Sequence, residues 1–128
     1  MLKYEEEIEV QFRDLDGYGH VNNAVYLSYF ETARINMVKE IFINDMKNNI
    51  QQIVISAHAD YLQPVLFGER AIISCCVTEI TKAKSKIDYK IHNGDGKRYA
   101  TGYTVHALFD NNKKRPVRLS TEIINGLS

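Results

Sequence analysis

One long stretch of helical periodicity, from Ala24 to about Ile43, lies between segments in which apolar and polar residues alternate. Within it, apolar residues recur at steps of three and four, at Tyr26, Phe30, Ala33, Met37 and Ile41. This spacing predicts an amphipathic helix with one face on a core, about 30 Å long at 1.5 Å per residue. Leu27, Tyr29, Val38 and Phe42 broaden the apolar face, and Arg34 is placed off it. We expect a sheet to wrap around this helix.

The alternating segments predict about five strands. They are Tyr4–Phe12, Ile53–Tyr61, Arg70–Ile80, Lys84–His92 and Lys97–Phe109. The segments between and after them are assigned as a loop at Asn44–Gln52, a type I′ hairpin at Asn93–Gly96, a loop at Asp110–Arg115, and a short terminal helix from Ser120 through Ile124. Strands joined by short loops pair antiparallel. The predicted fold class is therefore α+β.

Length and composition limit the class of protein. A chain of 128 residues is predicted to be a single domain, residues 1–128. Its 16 basic and 16 acidic residues balance, so we expect no nucleic-acid partner. No apolar run reaches the roughly 20 residues that span a membrane, and the acidic N-terminus does not resemble a signal peptide. We therefore expect a cytoplasmic protein without a membrane partner.

The polar loop Arg13–Asn23 directly precedes the helix and contains two acids, two glycines, a histidine and two asparagines. Asn22 or Asn23 is a suitable N-cap, because a short side-chain oxygen accepts a hydrogen bond from a first-turn N–H. The loop thus brings a carboxylate close to a helix N-terminus, where free N–H groups and the helix dipole favour negative charge. This arrangement suits the hydrolysis of an acyl group.

The loop resembles the 4-hydroxybenzoyl-CoA thioesterase-like branch of the hotdog-fold superfamily. The matching residues are Asp16-x-x-Gly19-His20-Val21-Asn22-Asn23-x-x-Tyr26, followed by Glu31-x-Ala33-Arg34 on the helix. The turn Asp60–Glu69 is also similar, and the resemblance covers nearly the whole chain. It implies a hotdog fold, an antiparallel sheet of about five strands around one long helix. It also implies an acyl-CoA thioesterase that works as a homodimer or homotetramer.

The resemblance assigns catalysis to Asp16 and to the backbone N–H of Asn23, which would polarise the thioester carbonyl. Asp16 would act as a nucleophile that forms a mixed anhydride or as a general base on water. The sequence leaves both routes open. The structural alternative for Asp16 is a turn aspartate, and for Asn23 an N-cap, which is compatible with catalysis.

Further residues are assigned to substrate binding, each with a structural alternative. His20 and Asn22 would be polar pocket residues or ordinary loop residues. Tyr26 would line the acyl pocket or belong to the core. Glu31 would be a second carboxylate facing the site, or would form an i,i+3 pair with Arg34.

Two groups of basic residues lie late in the chain, one around Lys84 and one around Arg115. They would be solvated surface, or Lys84, Ser85 and Arg115 would bind the phosphates of coenzyme A or the surface of an acyl carrier protein. No metal-ligand spacing and no dinucleotide fingerprint is present. We therefore expect no cofactor, with coenzyme A entering only as part of the substrate. The alternatives to an acyl-CoA thioesterase are an acyl-ACP thioesterase and a non-catalytic hotdog protein that binds acyl-CoA.

Overall fold

The computed structural model describes residues 1–128 and contains six strands and two α-helices. The strands are β1 (Lys3–Ile8), β2 (Ile50–Tyr61), β3 (Ala71–Ile80), β4 (Lys84–His92), β5 (Arg98–Asp110) and β6 (Arg115–Val117). The helices are α1 (Asn23–Lys47) and α2 (Thr121–Leu127). All strand pairs are antiparallel in the order β1-β3-β4-β5-β2, and β6 pairs with the end of β5. The predicted α+β class and hotdog architecture are confirmed.

The core lies between α1 and the inward face of the sheet. Tyr26, Phe30, Ala33 and Met37 of the predicted apolar stripe are buried, and Ile41 is partly buried. Phe30 stacks on Tyr89 of β4 with ring centroids 4.4 Å apart. The stripe therefore fixes which side of α1 faces the sheet. No helix of the structure has the length and apolarity needed to cross a membrane.

The predicted helix is too short at its C-terminal end. α1 continues to Lys47 and β2 begins at Ile50, so the predicted loop Asn44–Gln52 is wrong. The link is only two residues because Asn49 adopts a left-handed conformation (φ 62°), which closes the helix and which asparagine tolerates. At the other end, Asn22 is the N-cap, and its Oδ1 accepts a hydrogen bond from the N–H of Ala24 (3.0 Å).

Two side chains of α1 do not lie where the helical pattern places them. Leu27 was expected on the apolar face but is 41% exposed. Arg34 was placed off that face but is only 8% exposed. A long aliphatic stem allows an arginine to extend along an apolar surface, which the periodicity of residue types does not reveal.

The first strand is shorter than predicted. β1 ends at Ile8, and the chain forms a 3₁₀ turn at Phe12–Asp14, where the Asp14 carboxylate accepts a hydrogen bond from the N–H of Gln11 (2.9 Å). Phe12, the last residue of the predicted strand, is 79% exposed.

The regular alternation predicted for β2 is interrupted by a β-bulge at Ile55. Val54 lies opposite His106, but Ser56 lies opposite Val105. The extra residue moves the following side chains to the other face. Ile53 and Ala57, which were expected to share a face, therefore point to opposite sides of the sheet.

The predicted hairpin between β4 and β5 and the predicted terminal helix are both present. The hairpin turn has positive φ at Gly94 and Gly96 rather than at two adjacent positions, so the expected type I′ geometry is wrong. Ser120 caps α2 by accepting from the N–H of Ile123 (3.1 Å), and α2 extends to Leu127. The short strand β6 was not predicted.

Candidate active site

A cleft of about 290 Å³ opens at the N-terminus of α1. Nine residues line it: Asp16, His20, Val21, Asn23, Tyr26, Tyr61, Leu62, Gln63 and Pro64. Four of them, Asp16, His20, Asn23 and Tyr26, were singled out from the sequence. The cleft is therefore where the loop before α1 and the segment after β2 meet.

The loop that carries Asp16 is closed by its own backbone. Leu15 and Val21 form an isolated antiparallel bridge, and the N–H of Asp16 donates to the carbonyl of His20 (2.7 Å). Gly19 has φ of +80°, a conformation that residues with a Cβ rarely adopt. Val21 is buried, and its N–H donates to the carbonyl of Val65 (2.8 Å). These bonds hold the loop in one shape at the edge of the core.

One oxygen of the Asp16 carboxylate is held by the loop. Its Oδ1 accepts hydrogen bonds from the backbone N–H groups of Tyr18 (2.8 Å) and His20 (3.2 Å). The other oxygen, Oδ2, has no hydrogen-bond partner in the chain. The two N–H groups thus orient the carboxylate and leave one oxygen available for a reacting molecule. His20 contributes its backbone to this arrangement, and its ring makes no hydrogen bond to Asp16.

The first N–H of α1 is free. Asn22 uses its side chain to cap Ala24, and its own N–H donates to the carbonyl of Asp14 (2.8 Å). Asn23 begins the helix, so its N–H has no carbonyl four residues back within the helix and donates no other hydrogen bond. Asn23 lines the cleft together with Asp16. The free N–H of Asn23 and the positive end of the helix dipole therefore lie at the cleft.

The neighbouring acid, Asp14, is occupied by structural contacts. Its Oδ2 accepts from the hydroxyl of Tyr29 (2.8 Å) and from the N–H of Gln11 (2.9 Å). Burial, together with the Asp14 carboxylate, raises the pKa of Tyr29. Asp14 therefore ties the loop to α1, whereas Asp16 faces the cleft.

Two tyrosines form the inner wall. Tyr26 is 2% exposed, and its hydroxyl accepts from the N–H of Val65 (3.3 Å). Burial raises the pKa of Tyr26. Tyr61 packs edge-on against Tyr26 with ring centroids 5.0 Å apart, and its hydroxyl donates to the carbonyl of Asn23 (2.9 Å). Tyr26 is thus both a core residue and part of the cleft wall.

Sequence reasoning missed the wall formed by Tyr61, Leu62, Gln63 and Pro64. Tyr61 was assigned as the last residue of a strand, and the residues after it only as part of a turn. The only signal in the sequence is that apolar residues stand next to a proline in this turn. That signal does not show that the turn contacts the start of α1. Only the pairing of β2 with β5 brings Tyr61 to this position, opposite Ala100.

The other residues assigned to substrate binding do not line the cleft. Asn22 is used as a cap, and Glu31 is 62% exposed with its Oε2 3.9 Å from Arg34. Ser85 is buried on the inward face of β4, while Lys84 and Arg115 are exposed. Lys84 lies opposite Ala107 and Arg115 opposite Asp110, so both basic residues lie at the far end of β5.

Comparison with known proteins gives a consistent result. Residues 10–127 match the family described as the Thioesterase-like superfamily. The chain belongs to this superfamily. It is 26% identical over 116 residues to YneP of Bacillus subtilis (strain 168), named as a candidate acyl-CoA thioesterase, covering 88% of this chain and 84% of that protein. The enzyme class that follows is thioester hydrolase.

Two further relatives extend the comparison. The chain is 29% identical over 126 residues to the acyl-acyl carrier protein thioesterase ATL3 of Arabidopsis thaliana, covering 94% of this chain and 65% of ATL3. The crystal structure of a Thermus thermophilus thioesterase complexed with coenzyme A and Zn is 29% identical and superposes with a TM-score of 0.84, covering 97% of this chain and 91% of that one.

Proposed function

We propose that this thioesterase hydrolyses acyl-coenzyme A, with Asp16 as the reacting carboxylate and the Asn23 N–H as the carbonyl-binding donor. One observation carries the proposal: a carboxylate with one unbonded oxygen and a helix N-terminus with an unbonded N–H line the same cleft. The names of YneP and of the coenzyme A complex from Thermus thermophilus support the choice of substrate class.

The proposed chemistry follows from the charges that develop. As the thioester carbonyl is attacked, negative charge grows on its oxygen, and the Asn23 N–H and the helix dipole stabilise it. In one route, Asp16 Oδ2 attacks the carbonyl carbon, the C–S bond breaks, and water then cleaves the acyl–aspartyl anhydride. In the other, Asp16 takes a proton from the water that attacks. Both routes release a free acid and coenzyme A.

We propose that Lys84 and Arg115 bind the phosphate end of coenzyme A across a homodimer, because within one chain they lie far from the cleft. Ala100, which pairs with Tyr61 beside the cleft, and Ala107, which pairs with Lys84, are seven residues apart on β5, about 23 Å at 3.3 Å per residue. If two β2 strands pair antiparallel about a twofold axis, the start of one lies beside the end of the other. Lys84 and Arg115 of one subunit then approach the cleft of the other subunit.

The test is the release of free thiol from short, long and aromatic acyl-CoAs by wild type, Asp16→Asn and Asp14→Asn. We expect Asp16→Asn to lower kcat by at least about 100-fold, the usual contribution of a positioned acid or base. Asp14→Asn keeps an acceptor oxygen for Tyr29 and Gln11, so its rate should stay within about 5-fold. Asp95→Asn, in the exposed hairpin turn, is the matched surface control. A folded Asp16→Asn enzyme with full rate would exclude this assignment.

A second candidate substrate is an acyl group on a carrier protein, which the 29% identity to ATL3 favours. The same acyl group should be offered on coenzyme A and on acyl carrier protein, and kcat/KM compared. If kcat/KM for the carrier-protein substrate exceeds that for the acyl-CoA by more than about 10-fold, the carrier-protein thioester is the substrate and the coenzyme A assignment is wrong. Binding of acyl-CoA without release of thiol would instead identify a non-catalytic binding protein.

A further inference from the structure

A single hydrogen bond joins the end of β2 to the first residue of α1. The hydroxyl of Tyr61, the last residue of β2, donates to the backbone carbonyl of Asn23 (2.9 Å). Asn23 is also the residue whose free N–H is proposed above to bind the thioester carbonyl. The bond therefore connects the sheet to the residue on which the proposed chemistry depends.

The helix does not need this bond to satisfy its own backbone. The carbonyl of Asn23, the first helical residue, accepts from the N–H four residues later in a regular α-helix. The Tyr61 hydroxyl therefore occupies the second lone pair of the same oxygen. Tyr61 is 45% exposed, so water could serve as the partner of its hydroxyl. A bond made under these conditions indicates that the hydroxyl fixes where this peptide group lies.

The other hydrogen bonds at the start of α1 come from the helix itself and from the loop before it. The Oδ1 and the carbonyl of Asn22 accept from the N–H groups of Ala24 (3.0 Å) and Val25 (2.9 Å). The N–H of Asn22 donates to the carbonyl of Asp14 (2.8 Å). None of these bonds reaches the sheet. Since helix ends fray, a donor on the first residue keeps its place best when a separate element holds that residue.

Tyr61 is itself held by the sheet. It pairs with Ala100 of β5, and the N–H groups of the two residues after it both donate to the carbonyl of Tyr99 (2.8 Å and 3.1 Å). Its ring packs edge-on against the buried ring of Tyr26, with ring centroids 5.0 Å apart. The phenol thus extends from a fixed backbone and is supported by a buried ring, so its hydroxyl can hold the end of α1 in place.

We propose that Tyr61 is a positioning residue of this thioesterase, whose hydroxyl holds Asn23 so that the N–H of Asn23 points at the thioester carbonyl. The inference rests on the proposed function, in which that N–H stabilises the negative charge that develops on the carbonyl oxygen. Such a donor is effective only when it is preorganised, and a displacement of about 1 Å can lower a rate about 100-fold. Tyr61 acts through Asn23 and exchanges no proton with the substrate.

The kinetic test is Tyr61→Phe, which removes the hydroxyl and keeps the ring beside Tyr26. Release of thiol from hexanoyl-, palmitoyl- and benzoyl-CoA gives kcat and KM. We expect kcat to fall about 5- to 10-fold, the effect of one neutral hydrogen bond. KM should change less than about 2-fold, because the lost stabilisation belongs to the transition state. Tyr103→Phe is the matched control, since Tyr103 stacks on His58 on the opposite face of the sheet, and its rates should equal those of wild type.

The structural test needs no substrate. In protein labelled with ¹³C and ¹⁵N, the HNCO signal of the Ala24 N–H reports the carbonyl ¹³C shift of Asn23. We expect this shift to move upfield in Tyr61→Phe, because the carbonyl loses a hydrogen bond, and to stay unchanged in Tyr103→Phe. An unchanged shift in Tyr61→Phe would overturn the proposal even if kcat fell, because the hydroxyl would then act on the substrate directly.

The two tests separate the failure of this proposal from the failure of the proposed function. If wild type releases no thiol from any of the three substrates, the proposed function is wrong and the positioning role fails with it. If wild type is active and Tyr61→Phe keeps its kcat, only the positioning role is excluded. A raised KM with unchanged kcat also excludes that role, because the hydroxyl would then bind the substrate.

Discussion

At the scale of single residues, Asp14 and Asp16 differ in role through their hydrogen-bond partners. Asp14 accepts from a tyrosine hydroxyl and a backbone N–H at the same oxygen and has a fixed place between the loop and α1. Asp16 accepts two backbone N–H groups at one oxygen and exposes the other to the cleft. The two acids are the same residue type, so the loop geometry decides which of them can react.

His106 provides a prediction about stability and pH. Its folded-state pKa of about 3 lies below the usual value of 6.5 because burial and Arg34 disfavour the imidazolium. Between pH 6.5 and 3 the unfolded chain therefore binds a proton that the folded chain does not, and stability falls as pH is lowered through this range. The slope reaches about 1.4 kcal/mol per pH unit for one such proton.

The test compares urea unfolding of wild type and His106→Asn from pH 7 to pH 4. We expect the free energy of unfolding of wild type to fall more steeply with decreasing pH than that of the variant. His58→Asn, at a half-exposed surface position, is the control for loss of an imidazole. Parallel curves for wild type and His106→Asn would show that His106 does not resist protonation in the fold.

The placement of individual site residues was predictable only where it is local. Asp16, His20 and Asn23 lie within eight residues of one another, so a single loop and cap bring them to the same helix end. The inward position of Arg34 was not predictable, because the space it occupies is created by β2 and β5. Tyr61 was missed for the same reason: strand pairing, not sequence spacing, brings it to Asn23.

At the scale of elements, the approach of α1 to β5 depends on Gly102. A Cβ at this position would collide with the carbonyl oxygen of His58 and would lie 2.7 Å from Cε2 of Phe30. The glycine therefore allows the ring of Phe30 to reach the sheet and stack on Tyr89. A glycine in the interior of a strand often marks such a close approach.

Gly102→Ala should accordingly destabilise the fold. Overpacking of a close contact typically costs about 1–3 kcal/mol, and the collision with backbone on β2 places this variant at the upper end. Thermal unfolding followed by circular dichroism measures the loss. Gly17→Ala is the matched control, because nothing lies within 4 Å of a Cβ there and its φ is not positive. Equal melting temperatures for the two variants would mean that α1 can move away from the sheet without loss of stability, and would contradict the prediction.

The elements themselves were largely predictable, and their ends were not. Alternation over the strands and the three-four spacing of α1 reflect which face is buried, and both patterns were correct over most of their length. The extension of α1 to Lys47 and the bulge at Ile55 depend on single backbone conformations. Polar residues such as Asn44 and Asp45 are compatible with a loop or an exposed helix end, so periodicity alone could not assign them.

At the scale of the whole molecule, the two edges of the sheet differ. β1 is six residues long and carries Glu5 and Glu7 on its outer face, which discourages pairing with another strand. β2 is twelve residues long, and its Ile53, Val54 and Ile55 are 38%, 43% and 46% exposed. An exposed apolar edge of this length is an expected pairing site, and the homodimer proposed above uses it.

The double variant Ile53→Lys/Ile55→Lys tests that dimer, because two lysines on each β2 would place four like charges at the twofold axis. We expect the dissociation constant from sedimentation velocity to rise at least 100-fold, so that the variant is a monomer at micromolar concentration. Glu5→Lys/Glu7→Lys puts two lysines on β1 instead and should leave the dimer intact. If Lys84 and Arg115 of one subunit serve the cleft of the other, the β2 variant must also raise KM for acyl-CoA. If the variant is a monomer with unchanged KM, a single chain binds the whole substrate. If the variant remains a dimer, the dimer interface does not include β2.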